Sequence, residues 1–352
     1  MFRPYPTRGG PATPLSPAGG RESLDAIERR RVTVVGFHAS HEQAPPSELL
    51  AAVRRAEQVG FDAAMCSDHF APWGERQGHS GYSWAWLGAA LATTRLPFGT
   101  VTAPGQRAHP AIVAQAIATL GEMFPGRFWA ALGSGEAMNE HITGEPWPDH
   151  ATRTARLHES ADIIRRLLAG EHVDHDGLVR VHEARIWSRP VVAPRLFAAA
   201  VSPDTAARVA SWADGLITAA QSPDALREVI AAYREAGGEG PLALQVHLSW
   251  AADEHQARAI AEDQWRHAVV QPPELWDLEQ PADFDRRADD ASVDDIRDSV
   301  FISADPRAHL DHLLELAELG FDALYLHHVG REQEEFLATF GREVLPGLKE
   351  TR

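Results

Sequence analysis

The sequence from 32 to 66 reads VTVVGFHASHEQAPPSELLAAVRRAEQVGFDAAMC, in which two short apolar runs enclose one segment of helical period. Val32 to Phe37 predicts a β-strand, and Asp62 to Cys66 predicts a second one. Between them, Ser47 is a suitable helix cap, and apolar residues recur about every 3.6 positions until Gly60. A strand, a helix and a strand in this order predict two parallel strands joined by a right-handed crossover.

The same unit recurs along the rest of the chain. Further strands are predicted at 96–102, 128–132, 195–199, 215–218, 242–247 and 323–327. Helices are predicted at 82–92, 110–123, 153–168, 203–212, 223–236, 253–268, 305–318 and 331–343. Roughly 320 residues in eight such units match a (β/α)8 TIM barrel better than an open doubly wound sheet. We therefore predict an α/β fold with a single barrel domain over residues 31–350.

Two stretches exceed what eight units need. Near 170–190, the residues from His175 to Leu178 have the composition of a hairpin turn between two short strands. The segment 270–300 is acidic and contains proline, which predicts a loop-rich cover. We expect these insertions to cover the C-terminal mouth of the barrel, where the catalytic residues of such barrels lie.

Composition narrows the range of possible partners and locations. Residues 1–30 are rich in proline and paired glycines and lack apolar periodicity, which predicts a disordered extension. The 33 basic and 50 acidic residues give a formal net charge of -17, which argues against nucleic acid or an anionic membrane as a partner. A single cysteine, Cys66, and the lack of an apolar run long enough to span a membrane favour a cytoplasmic protein.

Polar residues that suit catalysis follow the second and fourth predicted strands. Asp68 and His69 follow the second strand, and an acid beside a histidine can position an imidazole as proton acceptor. An ordinary turn that bonds its own loop is an equally good interpretation of this pair. After the fourth strand, Gly133-Ser134-Gly135 can bring backbone N–H groups to an anion or a flat ring, and Glu136 can act as an acid or base. A tight turn is the alternative there.

Two other chemistries are not favoured. The chain has 18 histidines, but none of them shows an HExxH or comparable ligand spacing, so no dedicated metal site is expected. Cys66 ends an apolar strand and is expected to be a small core residue rather than a nucleophile.

Four motifs in sequence order resemble the luciferase-like superfamily of flavin and deazaflavin oxidoreductases. They are Ala39–Gln43, Ser67–Phe70 with Pro72-Trp73, Pro110–Ala118, and Gly133–Glu136 with Asn139-Glu140. The resemblance extends from about Val32 to Leu348 and is greatest to the branch that contains deazaflavin-dependent glucose-6-phosphate dehydrogenase. The segments Cys66–Phe70 and Pro104–Arg107 are more similar to a sibling group thought to have reverted from the deazaflavin, coenzyme F420, to FMN.

This resemblance implies a homodimeric oxidoreductase whose barrel mouth holds the flavin beside a small-molecule substrate. The residues implied to contact the cofactor are Asp68, Thr100, Val101, Thr102, Ser134, Gly135, Asn139, Val201 and Ser202. His69 would exchange a proton with the substrate, and Trp73 would stabilise the developing charge. Glu136 and Glu42 would serve proton transfer at the ring. A non-prolyl cis peptide is implied within Thr100–Thr102.

The chain also departs from the sugar-phosphate dehydrogenases. Where they use two lysines and an arginine to hold the substrate phosphate, this chain has Gln221 or Ser222, Leu275 or Trp276, and Ser299. Without cations a phosphorylated sugar would lose charge-assisted contacts. Leu275 and Trp276 predict a more apolar substrate pocket. The family's glycine pair after the fifth strand is replaced by Val201-Ser202, which must alter the backbone approach to the cofactor phosphate.

Three functions remain open from the sequence. The preferred one is an FMN-dependent monooxygenase or reductase that acts on a small, non-phosphorylated organic substrate. The first alternative is a coenzyme F420-dependent dehydrogenase that oxidises an alcohol or hemiacetal by hydride transfer. The second is a flavin-binding protein without catalysis, which has no need of His69, Trp73 and Glu136 together.

Overall fold

Eleven β-strands are present in the computed structural model, which describes residues 34–350. The extension predicted over 1–30 lies outside the described residues, as do the first two residues of the first predicted strand. The strands are β1 Val34–Ala39, β2 Ala63–Ser67, β3 Phe98–Thr102, β4 Phe128–Leu132, β5 Val173–Asp176, β6 Arg180–Ala184, β7 Arg195–Ala199, β8 Leu216–Ala219, β9 Leu242–Ser249, β10 Phe301–Ile302 and β11 Ala323–His328.

Eight of these strands close into a parallel barrel. Their order is β1, β2, β3, β4, β7, β8, β9 and β11, and β11 pairs again with β1. Every pairing within the ring is parallel, so the carboxyl ends of all eight strands lie at one end of the barrel. The predicted (β/α)8 architecture is confirmed.

Helices connect the strands, and the longer ones cover the outside of the barrel. They are α1 Pro46–Val59, α2 Ser83–Thr93, α3 Pro110–Met123, α4 Ala137–Glu140, α5 His150–Ala169, α6 Pro203–Val209, α7 Pro223–Glu235, α8 Glu254–Trp265, α9 Glu274–Asp277, α10 Pro281–Arg287, α11 Pro306–Glu318, α12 Glu334–Glu343 and α13 Leu345–Glu350. The first of them begins at Pro46 rather than after a Ser47 cap, because proline fits the first turn of a helix, where no N–H bond is lost. No helix of the described part is long and apolar enough to cross a membrane.

The core has two layers because alternate residues of each strand point to opposite faces. The layer inside the barrel contains Ala63, Met65, Ala131, Phe197, Ile217, Ala243 and Tyr325. The larger layer lies between strands and helices and includes Cys66, which is fully buried as expected of a core residue. Inside the barrel, a Cβ at Gly99 would overlap the indole of Trp129, so the absence of a side chain there makes room for that ring.

Two insertions interrupt the regular repeat. The predicted hairpin is present, since β5 and β6 pair as antiparallel strands. Between 270 and 300 the chain forms α9, α10 and a short 3-10 helix from Val293 to Ile296. The cis bond expected within Thr100–Thr102 is absent, and the only cis peptide among the described residues is Pro272–Pro273. That expectation is wrong because β3 continues its regular pairing with β4 through Thr102.

Candidate functional site

A cavity of about 470 Å³ lies at the carboxyl ends of the barrel strands. This volume is in the range of ligand-binding pockets. Its lining includes the residues that follow β2, β3, β4, β7 and β8, together with several residues between 265 and 276. The predicted site residues that line it are Asp68, His69, Trp73, Val101, Thr102, Ser134, Gly135, Glu136, Asn139, Val201, Ser202, Leu275 and Trp276.

Two predicted site residues lie outside the lining. The Thr100 side chain is fully buried, and its hydroxyl oxygen is 3.6 Å from the sulfur of Cys66. Because side chains alternate along a strand, Thr100 points away from the face that Val101 presents to the cavity. Glu42 is also buried behind the lining, so it reaches the cavity only through the residue that it contacts.

That contact is an ion pair with His69. Oε1 of Glu42 lies 3.0 Å from Nδ1 of His69, and the other carboxylate oxygen accepts a hydrogen bond of 2.7 Å from the Ser40 hydroxyl. Burial alone would raise the pKa of Glu42, but His69 and the Ser40 hydroxyl outweigh it and hold that pKa below its usual value. Burial also opposes charge on His69, yet Glu42 raises the pKa of His69 above its usual value. The pair therefore fixes the ring and leaves Nε2 for the cavity.

Trp73 packs between two imidazoles. It meets His69 in a T-shaped arrangement with ring centroids 5.2 Å apart, and its face stacks on His267 at 5.7 Å with the planes 3° from parallel. Phe284 of α10 meets the same indole edge-on at 5.5 Å. The insertion thus holds Trp73 against His69 at the cavity wall.

Asp68 is bound by the protein itself. Its Oδ1 accepts a hydrogen bond from Ser83, and its Oδ2 accepts from Trp84, Thr102 and Arg107 at 2.9 to 3.1 Å. Only 3% of the residue is exposed. A carboxylate with four donors is held in one place, so Asp68 orders the ends of β2 and β3 and has little capacity left for a ligand.

Arg107 connects this network to the next strand end. Its guanidinium contacts Oδ2 of Asp68 at 3.1 Å and lies 3.6 Å from Oε1 of Glu140, and its backbone N–H donates to the same carboxylate at 2.6 Å. Burial raises the pKa of Glu140 despite these contacts. One arginine therefore serves two carboxylates that are almost fully buried.

Glu136 lines the cavity after β4, at the start of α4. Its Oε2 accepts a hydrogen bond of 3.1 Å from the amide of Asn139. The carbonyl oxygen of that same amide accepts 2.8 Å from the backbone N–H of Phe70. Asn139 thereby links Glu136 to the loop that carries His69.

A flat ring would fit one wall of the cavity. That wall consists of residues with no side chain beyond Cβ: Ala103, Gly133, Gly135, Ala199, Ala200, Ala219 and Ala220. Beside them, the hydroxyl of Thr218 lines the cavity, is buried, and has no hydrogen-bond partner among the described residues. Small residues and an unpaired hydroxyl are what a planar cofactor with polar edges needs.

The deep end of the cavity is lined by neutral polar residues that the sequence did not identify. His247 lies 3.1 Å from the Gln245 amide through Nε2 and 3.0 Å from the Ser299 carbonyl oxygen through Nδ1. Burial lowers the pKa of His247 to about 4 and, with the neighbouring His247, that of His267 to about 3. Both imidazoles are therefore uncharged at neutral pH.

No arginine or lysine lines this cavity in the part of the chain that the structure describes. The titratable groups on its wall are carboxylates and histidines, and Lys349, the single lysine, contacts Asp62 instead. An anionic substrate would meet negative charge there without a fixed cation.

An open groove of about 620 Å³ adjoins the cavity and shares His150, Ser202 and Trp276 with it. Arg153 lines it, and its guanidinium stacks over Trp147 at 4.6 Å. Arg153 is only 4% exposed and lies 3.6 Å from Asp277, which lines the groove together with Asp149. No group of three or more potential metal ligands was found between residues 34 and 350.

The fold and the cavity define a TIM barrel protein with an imidazole and carboxylates around a site for a planar ligand. The model of the luciferase-like monooxygenase family matches residues 32–323, and the chain belongs to this family. The prediction of an oxidoreductase of the luciferase-like superfamily is thereby confirmed.

Among its relatives is the F420-dependent glucose-6-phosphate dehydrogenase of Beutenbergia cavernae, which is 36% identical over 90% of this chain and 97% of the relative. The enzyme of the same name from Nakamurella multipartita is 35% identical over 89% of this chain and 96% of its own length. An F420-dependent secondary alcohol dehydrogenase, solved with an F420-acetone adduct, superimposes with a TM-score of 0.83 at 30% identity and covers 90% of this chain and 99% of that one.

Proposed function

We propose that this protein is a coenzyme F420-dependent dehydrogenase that oxidises an uncharged alcohol. The observation that carries the proposal is the His69–Glu42 pair beside Trp73, on a cavity wall that has no fixed cation. The pair supplies a base for a hydroxyl proton, and the wall disfavours an anionic substrate.

His69 is the group that takes the proton. Nδ1 lies 3.0 Å from the Glu42 carboxylate, so a neutral ring that carries its proton there has Nε2 as its acceptor. When an alcohol is oxidised, its carbon loses a hydride and its oxygen loses a proton, and Nε2 receives that proton. Glu42 then stabilises the protonated imidazole, in the way that the carboxylate of a catalytic triad does. Trp73 excludes water from this side of the site.

The cofactor would lie against the cavity wall formed by alanines and glycines, next to the unpaired hydroxyl of Thr218. The deazaflavin, when bound there, supplies a ring carbon that accepts or returns a hydride. Ser134, Gly135 and Val101 would lie against it, and Glu136, held by Asn139, would hold or move a proton at the ring.

One observation favours the deazaflavin over FMN, which the sequence motifs had favoured. Relatives that share more than 30% of their residues with this chain are named as F420-dependent enzymes. The same cofactor preference favours a dehydrogenase over an oxygen-dependent monooxygenase.

The substrate of the named relatives, glucose 6-phosphate, is not carried over to this chain. A bound phosphate forms charge-assisted contacts that each contribute about 1.5–3 kcal/mol. Gln221, Leu275 and Ser299 line the cavity and supply no cation to pair with the phosphate. The cytoplasmic location and the homodimer implied by the family stay predictions.

The proposal is tested by parallel anaerobic titrations with F420 and FMN, followed by addition of 2-propanol or glucose 6-phosphate. We expect F420 to bind at least about tenfold more tightly than FMN, a difference of about 1.4 kcal/mol. We expect the secondary alcohol to remove the visible absorbance of bound F420, and the sugar phosphate to be at least about tenfold less effective. Tighter binding of FMN, or preferred oxidation of the phosphate, would refute the proposal.

A further inference from the structure

The imidazole of His267 is the polar side chain of the cavity wall that the proposed chemistry leaves unexplained. The residue is 7% exposed, and its ring nitrogens make no hydrogen bond with any described residue. It is held only by rings, stacked on Trp73 and edge-on to Trp265 with centroids 4.8 Å apart. Because His267 lines the cavity, its unpaired ring nitrogens are open to a ligand group there.

The neighbouring side chains of Gln245 and His247 differ from His267 because they have hydrogen-bond partners within the protein. The side chains of Gln245 and His247 contact each other, and His247 also contacts the Ser299 carbonyl oxygen. Those residues are already paired within the protein. Of the two imidazoles, His267 alone has both ring nitrogens unpaired and available to a ligand.

The position of His267 relative to His69 sets which part of a ligand it can meet. Both imidazoles contact the indole of Trp73, His69 in a T-shaped arrangement and His267 stacked on its face. Both residues also line the same cavity. An alcohol whose reacting oxygen reaches His69 can therefore present a second polar group to His267.

The charge of His267 determines which kind of polar ligand group it can bind. Because burial and His247 keep the ring neutral, it offers one donor and one acceptor. The charged or titratable groups facing it are His69, His247 and Glu42. A hydroxyl, which is also both donor and acceptor, matches a neutral imidazole, whereas a phosphate or carboxylate would need a cation.

We propose that His267 binds a second hydroxyl of the substrate, and that the substrate class is an uncharged diol, polyol or unphosphorylated sugar. This inference rests on the proposed function, since it takes His69 as the residue that receives the proton of the reacting hydroxyl.

The test compares kcat/KM for 1,2-propanediol and 2-propanol in the F420-loaded wild type and in His267→Phe. Phenylalanine keeps a flat ring against Trp73 and removes both nitrogens. We expect the wild type to prefer the diol by about tenfold or more, and the variant to lose that preference. His267→Asn should restore part of it. The same substitution at a histidine outside the cavity, His158→Phe, whose ring contacts Trp212, should leave the ratio of the two substrates unchanged.

Binding provides a second readout, since the fluorescence of Trp73 and Trp265 should respond to a diol that reaches His267. Alcohol oxidation without a preference for the diol, or equal losses for both substrates in His267→Phe, would overturn the inference and leave the proposed function intact. Diol binding that depends on His267 without oxidation of any alcohol would overturn the proposed function instead. A loss of F420 affinity in His267→Phe would show that this residue contacts the cofactor and would also overturn the inference.

Discussion

Replacement of His69 by alanine should lower kcat by about 10²–10⁴-fold, which is the usual contribution of a positioned general base. The reason is that, of the two imidazoles against Trp73 on the cavity wall, His69 is the one paired with a carboxylate, Glu42. Affinity for F420 should change little, because the proposed cofactor wall consists of other residues. Steady-state turnover and fluorescence titration measure the two effects separately.

The matched variant is Glu42→Gln. The neutral amide no longer stabilises the imidazolium, so burial dominates and the pKa of His69 falls. The base is active when it is neutral, and activity is lost as the pH drops through its pKa. The acid limb of the kcat/KM profile should therefore move to lower pH in Glu42→Gln. An unchanged limb, or a loss of F420 affinity in His69→Ala as large as the loss of turnover, would assign His69 a structural role.

Replacement of Arg107 by methionine should destabilise the protein by about 3–5 kcal/mol, which is typical when one partner of a buried ion pair is removed. Arg107 contacts Asp68 and Glu140, whose side chains are 1% and 2% exposed. Methionine fills much of the space but leaves two buried carboxylates without their cation. Urea denaturation at neutral pH, with the wild type in parallel, measures the change.

The control is Arg55→Met, because Arg55 forms an exposed ion pair with Glu334 on the outside of the barrel. An exposed pair of this kind contributes about 0–1 kcal/mol. A loss in Arg107→Met no larger than the loss in Arg55→Met would show that the network around Asp68 does not hold the strand ends together.

Much of this site was predictable because it follows the barrel strands directly. His69 comes two residues after β2 and Glu136 comes four residues after β4. A parallel barrel brings all carboxyl ends of its strands to one face, so local sequence was enough to predict that these residues meet. The alternation of strands with helices of regular period, together with the length of the chain, was enough to predict the barrel itself.

The remaining features depend on contacts between distant parts of the chain. His247 sits within β9, a strand whose sequence gave no sign of which side chains face the cavity. His267 follows α8, in a 3-10 segment from Arg266 to Val269, and reaches the site by stacking on Trp73, nearly 200 positions earlier. The role of Arg107 between Asp68 and Glu140 likewise joins loops after different strands. No local sequence pattern predicts contacts between residues so far apart in the chain.

Two expectations drawn from the family resemblance also show what short motifs do not predict. The cis bond expected within Thr100–Thr102 would have broken a ladder that β3 keeps with β4. The preference for FMN rested on short segments near Cys66 and Pro104, whereas relatives aligned over about nine-tenths of the chain are named as F420-dependent enzymes.

The central claim is that an alcohol gives its hydride to F420 while His69 takes the hydroxyl proton. It is tested most directly with F420-loaded enzyme and 2-propanol deuterated at the carbinol carbon, under anaerobic conditions. We expect the deuterium to appear on the ring of the reduced deazaflavin, and the rate of loss of visible absorbance to show a primary isotope effect. Reduced cofactor without the label, or turnover that requires FMN and oxygen instead, would contradict the account.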